Sequence, residues 1–503
     1  MTDELGRWSA ILAEYQRRRT FSRSMGGPEK AERHRAAGRM DARRRADALF
    51  DAGSFVEIGG FAGAMTQDGP APAPADALVA GFGRIDGRPV LAAIEDFTVL
   101  GGSIGSAGAD KRYRLCQLAA QERVPLVFML EGAGHRLTDE SGSRAPNDLQ
   151  GLAELSGQVP IVCLVLGASA GHGALTAPLS DFVVMTEGSA MFAAGPPLVK
   201  AAIGEVVTKE QLGGPQVHVD ISGVAHNLVA DDAAAIAMAR RYLSYFPSSA
   251  WGTPPAAAGL DAGPRRLDAI LGLIDPDPRI PFRMADVLGL LVDQDSLFEV
   301  QPRFGRSLIT ALARLGGRSV AIVANDPSVG AGAIDGPAAD KATHFLEVAG
   351  AFGLPVIFLA DNPGVMAGTA AEKSGILRRS ARMFVAQHRL RGPKLHVTLR
   401  KAFGFGSSIM AMNPFDAQTS VLAFPAITLG AMPAGSGSDA AKLDAEARAQ
   451  VAARQAGSAY HLASRLAFDD VIDPRDLRNA LLDGLALADA RGVREPRAMG
   501  ILP

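Results

Sequence analysis

The chain has 503 residues, of which 48% are hydrophobic and 21% are charged, and its net charge is −2. The length predicts two large domains, because single hydrophobic cores stop growing at about 250–300 residues. The near-neutral charge excludes a general attraction to nucleic acid or to an anionic membrane, and no apolar run reaches the roughly 18 residues of a membrane span. Two cysteines, Cys116 and Cys163, without a CxxC motif exclude a disulfide framework, so we expect a cytoplasmic protein without a metal site.

The first 50 residues are basic and helix-prone, with three consecutive arginines at 17–19 and again at 43–45. These clusters lack interleaved aromatic residues, which favours a helical arm that packs on a neighbour over a nucleic-acid contact. Two large domains are predicted to follow, at 51–247 and 282–503. The segment 248–281 between them is rich in proline, glycine and alanine and is predicted to be a linker.

Each predicted domain has an α/β pattern. Six short apolar runs predict buried strands: Val90–Ile94, Leu126–Leu130, Ile161–Leu166, Val320–Ala324, Val356–Ala360 and Leu395–Leu399. A helix-length segment separates the first two strands of each set, at Asp110–Glu122 and at Asp340–Phe352. This order predicts crossover units and a sheet that is buried on both faces.

The two domains are also internal copies of each other. Residues 87–134 match residues 317–364 without a gap, at a constant offset of 230. A second block follows at an offset of 233, where Pro160, Gly171 and Gly173 match Pro393, Gly404 and Gly406. Two matched copies predict two related sites that serve one reaction.

Glycine-rich turns follow the predicted strands. They are EGAGHR (131–136) and GASAGHGA (167–174) in the first copy, and DNPGVM (361–366) and AFGFGS (402–407) in the second. Small residues at a strand end let a ligand approach the backbone, and free N–H groups there would stabilise negative charge. Such turns would form oxyanion holes, where one lost donor costs about 3–4 kcal/mol of barrier. Tight packing of strand against helix is the alternative interpretation.

Other chemistry has weaker signals. His135 and His172 lie inside the turns and could act as general bases or simply hydrogen-bond the backbone. Ser169 lies in a GxSxG pattern after a strand and could be a nucleophile, although this pattern arises easily in a chain rich in glycine and serine. Glu131 and Asp361 occupy matching strand ends, where capping of a following helix is expected.

Eight segments carry a resemblance to a known family. They are GSFVEIGG (53–60), GFGRIDGRPV (81–90), DFTVLGGSIG (96–105), GPPLVKAAIGEVVT (195–208), SGVAHN (222–227), DNPGVMAGT (361–369), RKAFGFGSS (400–408) and DDVIDPRDLR (469–478). The chain resembles, over nearly its whole length, the carboxyltransferase (β) subunits of biotin-dependent acyl-CoA carboxylases of the propionyl- and methylcrotonyl-CoA carboxylase type. The resemblance implies a duplicated crotonase-like α/β spiral of ββα units, in two homologous domains with a helical N-terminal arm.

The resemblance also implies site residues. The first domain would hold the acyl-CoA, with the thioester oxygen on the amides of Gly171 and His172 and with Gly134 facing them. The second would hold carboxybiotin, with its urea oxygen on the amides of Phe405 and Gly406. Six residues are implied to bind substrate: His135, Arg136, Lys111, Gly173, Met366 and Ser408. Lys111, Arg112 and Arg136 could meet CoA phosphates or could be ordinary surface charges and ion-pair partners.

The implied reaction moves a carboxyl group from carboxybiotin to the α-carbon, or the vinylogous γ-carbon, of an acyl-CoA thioester. Since the sequence has no biotinyl Met-Lys-Met motif, the implied partners are a biotin carboxylase and a biotin carboxyl carrier subunit, around a dimer-based homo-oligomer such as a hexamer. Departures from the family pattern place His135, His172 and Phe405 where small residues are usual. An acyl-CoA decarboxylase, a biotin-independent crotonase-type enzyme and a non-catalytic assembly subunit are the alternatives.

Overall fold

The computed structural model describes residues 2–63, 73–136, 147–257, 261–456, 458–491 and 500–503. The chain divides into two compact units. The first consists of Met1–Leu243 with Ala498–Ile501 and Pro503, and the second consists of Ser244–Arg497 with Leu502. Among the described residues, no helix is both long enough and apolar enough to cross a membrane.

The described part of the first unit contains one mixed sheet of eight strands. The strands are β1 (Val56–Glu57), β2 (Leu78–Ile85), β3 (Arg88–Glu95), β4 (Leu126–Gly132), β5 (Ile161–Ala170), β6 (Phe182–Thr186), β7 (Ala190–Phe192) and β8 (Asn227–Val229). Their order is β1-β2-β3-β4-β5-β6-β8, and β7 pairs with β5. The pairs β1–β2 and β2–β3 are antiparallel, whereas the pairings from β3 onward are parallel.

Helices cover this sheet. Those that begin in the first unit are α1 (Thr2–Ser22), α2 (Pro28–Ala36), α3 (Ala42–Leu49), α4 (Ser106–Glu122), α5 (Asp148–Leu155), α6 (Pro196–Ile203), α7 (Lys209–Gly213) and α8 (Asp232–Tyr245). Helix α4 crosses from β3 to its parallel neighbour β4, and its Leu115, Cys116 and Ala119 join the same core as Phe128 of β4. All seven residues of β4 are buried, as expected for a strand that is covered on both faces.

The second unit repeats this architecture within its described residues. Its strands are β9 (Phe298–Val300), β10 (Leu308–Leu315), β11 (Arg318–Asn325), β12 (Val356–Asn362), β13 (Lys394–Phe403), β14 (Ser420–Ala423), β15 (Thr428–Gly430) and β16 (Asp470–Val471). They lie in the order β9-β10-β11-β12-β13-β14-β16, with β15 on β13, so each strand has a counterpart in the first sheet. The six predicted strands are confirmed as parts of β3, β4, β5, β11, β12 and β13.

The helices of the second unit follow the same plan, with additions near the C-terminus. They are α9 (Ile270–Leu273), α10 (Met284–Leu291), α11 (Gly336–Ala351), α12 (Thr369–Lys373), α13 (Ile376–His388), α14 (Phe405–Ile409), α15 (Ala434–Ala440), α16 (Ala445–Ala456), α17 (Ser458–Ala463) and α18 (Leu477–Leu487). The predicted helices at Asp110–Glu122 and Asp340–Phe352 are therefore confirmed, although α4 and α11 both begin about a turn earlier.

The basic N-terminal segment is only partly an exposed arm. Helix α1 has solvent-exposed faces, but Arg45 of α3 is 1% exposed and donates hydrogen bonds to Glu131 (2.6 Å) and Asp232 (2.9 Å). Glu131 also pairs with Arg39. Burial would raise the pKa of Glu131, but the hydrogen bond with His34 and the charge of Arg45 lower it to about 2. The expectation that Glu131 caps a helix is therefore wrong, because its carboxylate binds the N-terminal segment to the sheet.

A matching acid performs the same task in the second unit. Asp361 of β12 accepts a hydrogen bond from Arg400 Nε at 2.7 Å, so it does not cap a helix either. Arg400 Nη1 donates in turn to the carbonyl oxygens of Asp275, Asp277 and Ile280, all within the segment predicted to be a linker. The described part of 248–281 is consequently packed into the second unit, because a buried arginine satisfies its backbone.

Candidate active site

The first turn begins where β5 ends, at Ala170. Gly171 has a left-handed backbone (φ +58°), and its N–H donates to the carbonyl of Phe192 in β7 at 3.0 Å. Because that amide is used inside the fold, Gly171 does not supply the oxyanion donor that the resemblance implied. Its hydrogen bond holds the end of β5 against β7.

The next two amides are free within the described structure. The N–H groups of His172 and Gly173 have no hydrogen-bond acceptor among the described residues, while their carbonyls accept from Leu175 and Thr176. Gly173 is buried, and a Cβ there would lie 3.4 Å from Glu95 Oε1 and 3.5 Å from Ser169 Oγ. The pair that could hold an oxyanion in the first unit is therefore His172 and Gly173, one residue beyond the predicted pair.

The second unit has the same arrangement. Gly404 has φ +53° and donates its N–H to the carbonyl of Gly430 at 3.0 Å. The N–H groups of Phe405 and Gly406, at the start of α14, find no acceptor in the part of the chain that the structure describes. A Cβ at Gly406 would lie 2.4 Å from Asn362 Oδ1 and 2.7 Å from Gly364 Cα, so only glycine fits. Within the described residues, neither of the two predicted donors is thus used by a hydrogen bond.

The turns after β4 and β12 lie against these amide turns. The carbonyl of Gly134 accepts from Ile104 N–H at 2.8 Å, and a Cβ on Gly134 would lie 2.9 Å from Ala170 O. In the second unit Gly364 accepts from Ile334 N–H at 3.1 Å. The close packing of paired glycine turns is therefore shared by the two units, and it places Gly134 beside the first amide pair.

Two histidines and an aspartate meet at the first amide pair. The rings of His135 and His172 lie edge to face with centroids 4.5 Å apart. His172 Nε2 lies 2.5 Å from Asp148 Oδ1, at the first residue of α5. His135 is exposed, whereas the side chain of His172 is 14% exposed and Asp148 is buried. The arrangement can accept or deliver a proton, which the predicted role of these histidines as general bases requires.

Arg112 of α4 holds this cluster from inside. Its guanidinium donates to Asp148 (2.5 Å), to Thr176 Oγ1 (2.6 Å) and to Glu95 (3.2 Å). Burial raises the pKa of Asp148, but the hydrogen bond with His172 and the charge of Arg112 hold it well below its usual range. At Glu95 burial prevails and raises the pKa. Arg112 is therefore an internal ion-pair partner, and it does not meet CoA phosphates.

Burial also excludes the predicted substrate contact of Lys111. Its side chain is 6% exposed, and Nζ donates to the carbonyls of Ala75 (2.6 Å) and Leu78. Burial lowers the pKa of Lys111 to about 8. The predicted substrate contact is wrong for Lys111, because its ammonium group already satisfies buried carbonyls.

The remaining predicted residues are distributed over both units. Arg136 pairs with Asp76 at 2.7 Å and donates to the Ser103 carbonyl, so its guanidinium is already engaged. Met366 is partly exposed and donates its N–H to Ile334. Ser408 lies in α14, where its carbonyl accepts from Gln387. Ser169 lies inside β5, fully buried, and so does not occupy a nucleophile elbow.

Sequence reasoning missed three residues of the site. Glu95, Asp148 and Thr176 come from a strand, a helix and a turn that are distant along the chain, and no spacing or motif connects them. The one sequence feature that relates to all three is Arg112, a charged residue within a helix that covers a sheet. Such a residue needs buried partners, because an unpaired buried charge is costly.

The chain matches a known family and several known proteins over nearly its whole length. The family described as the carboxyl transferase domain matches residues 33–498. The chain is 34% identical, over 95% of its length and 96% of the relative's, to methylmalonyl-CoA decarboxylase subunit alpha of Veillonella parvula. It is also 34% identical, over 95% of its length and 94% of the relative's, to the methylmalonyl-CoA carboxyltransferase 12S subunit of Propionibacterium freudenreichii subsp. shermanii.

A solved structure extends the comparison to the fold. The transcarboxylase 12S crystal structure, a hexamer with methylmalonyl-coenzyme A and methylmalonic acid bound, superimposes with a TM-score of 0.90 at 32% identity and covers 98% of this chain and 99% of that chain. The chain therefore belongs to the carboxyl transferase family. The resemblance predicted from its sequence motifs and the duplicated crotonase-like fold are both confirmed.

Proposed function

We propose that this chain transfers a carboxyl group between biotin and the α-carbon of an acyl-CoA thioester, with one pair of backbone amides in each unit. The observation that carries the proposal is the repeated turn. In both units a glycine amide is consumed inside the fold, by Phe192 or Gly430, and the next two amides have no acceptor among the described residues. Family membership supplies the reaction class for these amides.

The first pair suits a thioester oxygen. When the α-carbon loses a proton or a carboxyl group, negative charge moves to that oxygen, and the amides of His172 and Gly173 would stabilise it. A donor of this kind contributes about 3–4 kcal/mol to the transition state. Because the donors are main-chain groups, a bulky ring at His172 does not remove them. The acyl-CoA is placed in this unit by the resemblance.

The second pair suits the urea oxygen of biotin. Only glycine preserves this turn, since a Cβ at Gly406 would meet Asn362 and Gly364 and any side chain would distort the position of the amides. Biotin, when bound, supplies the carboxyl group. The amides of Phe405 and Gly406 would bind and orient its oxygen. We further propose that biotin arrives on a separate carrier subunit and that a biotin carboxylase subunit completes the complex.

The direction of transfer depends on partners. A decarboxylase is the second candidate, since one relative at 34% identity is named as a decarboxylase subunit and the other as a carboxyltransferase subunit. We propose a homo-oligomer, on the support of the hexameric neighbour. Free thiols at Cys116 and Cys163 are compatible with a cytoplasmic location.

The test is carboxyl exchange between an isotope-labelled malonyl-type CoA ester and free or carrier-bound biotin. We expect exchange with the full chain, loss on addition of avidin, and a decrease of about 100-fold in Gly406→Ala. Gly289→Ala is the matched control, because a Cβ at Gly289 in α10 meets no atom within 4 Å. Absence of exchange across a panel of malonyl-type esters would contradict the proposal.

A further inference from the structure

A histidine–aspartate pair, formed by His172 and Asp148, lies at the first amide pair. The ring of His172 is attached to the same residue whose N–H belongs to the first amide pair. Covalent geometry keeps Nδ1 of such a ring within roughly 3–5 Å of its own amide nitrogen. Nε2 is bound to Asp148, and Nδ1 has no hydrogen-bond partner among the described residues. The ring nitrogen without a partner therefore belongs to the same residue as one of the two free amides.

The pair is oriented from within. Asp148 is buried and accepts from Arg112, which is itself held by Glu95 and Thr176. A carboxylate fixed in this way selects the ring orientation in which Nε2 faces inward and Nδ1 faces outward. These contacts order the ring before any ligand binds, as an acid–base residue requires.

His135 connects the pair to solvent. Its ring is exposed and lies 4.5 Å from the ring of His172. Burial and the neighbouring His172 lower the pKa of His135, which favours its neutral form. A neutral imidazole can take up and release a proton, so His135 can pass to water the proton that His172 receives.

The second unit shows that the fold does not need these groups. At the offsets of 230 and 233, the positions of His135, His172 and Glu95 are occupied by Val365, Phe405 and Asn325. The backbone turns are nonetheless the same in both units. The titratable cluster is therefore a feature of the first amide pair and is not a requirement for building the turn.

We propose that His172, positioned by Asp148, exchanges the α-proton of the acyl-CoA held at the His172 and Gly173 amides, without participation of biotin. This inference rests on the proposed function, which places the acyl-CoA there. Nδ1 of the neutral ring takes the α-proton, the C–H bond breaks, and its electron pair moves into the thioester enolate. The imidazolium exchanges this proton with heavy water and then delivers a deuteron to the same carbon, so the net change is replacement of hydrogen by deuterium.

The experiment follows deuterium uptake into propionyl-CoA by mass spectrometry, with the full chain in heavy water and no biotin. We expect uptake by the wild-type protein and a decrease of about 100-fold or more in His172→Gln and His172→Ala, both of which keep the amide. Added imidazole should restore part of the exchange in His172→Ala. His388→Gln should exchange normally, although it breaks a histidine–aspartate pair of similar length (2.6 Å) in the second unit.

Asp148 is tested as a positioning residue. Asp148→Asn should lower kcat for exchange at least 10-fold with little change in KM, because the ring loses its orientation while the amides remain. If the protein binds propionyl-CoA in calorimetry and transfers carboxyl with biotin but takes up no deuterium, the inference is overturned and the proposed function stands. Undiminished uptake in His172→Gln also overturns it. Failure of both binding and transfer overturns the proposed function itself.

Discussion

The two units have the same backbone at their turns and different side chains around them. Gly171 and Gly404 both adopt left-handed conformations and both donate their amides to the strand beside them, at 3.0 Å in each case. The amides that follow are free within the described residues of both units. The two copies therefore share the main-chain geometry of this turn, with a consumed glycine amide followed by two free amides.

The side chains near these turns differ between the two units, with titratable residues in the first and apolar residues in the second. The first unit has His135, His172 and Arg112, and the matching positions in the second unit hold Val365, Phe405 and Ala342. A side chain can change without loss of a backbone donor, so the duplicated sites were free to acquire different chemistry. The charged cluster around the first turn is therefore not a requirement of the fold.

The largest effects are expected when the matched acids Glu131 and Asp361 are removed. They test whether both acids stabilise the fold by pairing with a buried arginine. Glu131→Ala removes one of the two carboxylates that pair with the buried Arg45, and Asp361→Ala removes the carboxylate that pairs with the buried Arg400. Each should lower the free energy of unfolding by about 3–5 kcal/mol in urea titrations. Glu14→Ala is the control, since it removes only exposed pairs with Arg17 and Arg18 and should leave the free energy of unfolding nearly unchanged. A small effect at only one of the two acids would show that Glu131 and Asp361 are not equivalent in stabilising their units.

The pH dependence should separate the same two acids. The pKa of Glu131 is lowered from 4.5 to about 2, so its stabilising contribution is complete above 4.5 and is lost as the pH falls through this window. The full loss corresponds to about 3 kcal/mol. At Asp361 the effect of burial exceeds that of the charge of Arg400, so the pKa is raised. The contribution of Asp361 to the free energy of unfolding therefore changes with pH in the opposite direction to that of Glu131.

The measurement is urea unfolding at several values between about pH 6 and pH 2. Glu131→Gln should flatten the acid limb of the stability profile, whereas Asp361→Asn should make it steeper, because protonation of Asp361 at low pH stabilises the folded state. Equal flattening by the two variants would show that the acids do not differ in the way their surroundings indicate.

Close backbone contacts give a third test. Gly101 and Gly102 share φ +65°, but a Cβ at Gly101 meets nothing within 4 Å, whereas one at Gly102 would lie 2.2 Å from Glu131 O. Gly102→Ala should therefore cost about 1–3 kcal/mol more than Gly101→Ala in thermal or urea unfolding. The same difference is expected between Gly332→Ala and Gly330→Ala in the second unit, where only Gly332 faces the Asp361 carbonyl.

The smallest effect concerns Phe405, the counterpart of His172. Its ring is 47% exposed and lies 5.8 Å from the ring of Phe384. Phe405→Leu should change the free energy of unfolding by about 1 kcal/mol or less, because an exposed aromatic pair contributes little. The buried Phe358→Leu should cost more. A large loss at Phe405 would mean that this side chain supports the turn and was not free to diverge.

The sequence alone determined the class of fold. Apolar runs of strand length, one crossover helix between paired strands and a gap-free internal repeat predicted duplicated α/β units, because strand burial and crossover topology leave a local signal along the chain. The glycine turns were equally visible, since a position such as Gly406 tolerates no Cβ.

Only the tertiary structure decided which amides are free and which charges are internal. The acceptors of the Gly171 and Gly404 amides lie on other strands, and the partners of Lys111 and Arg112 come from segments far along the chain. Hydrogen bonding and burial of this kind depend on distances that no sequence spacing encodes. For the same reason the Asp148–His172 pair became visible only when helix α5 and the turn after β5 were placed together.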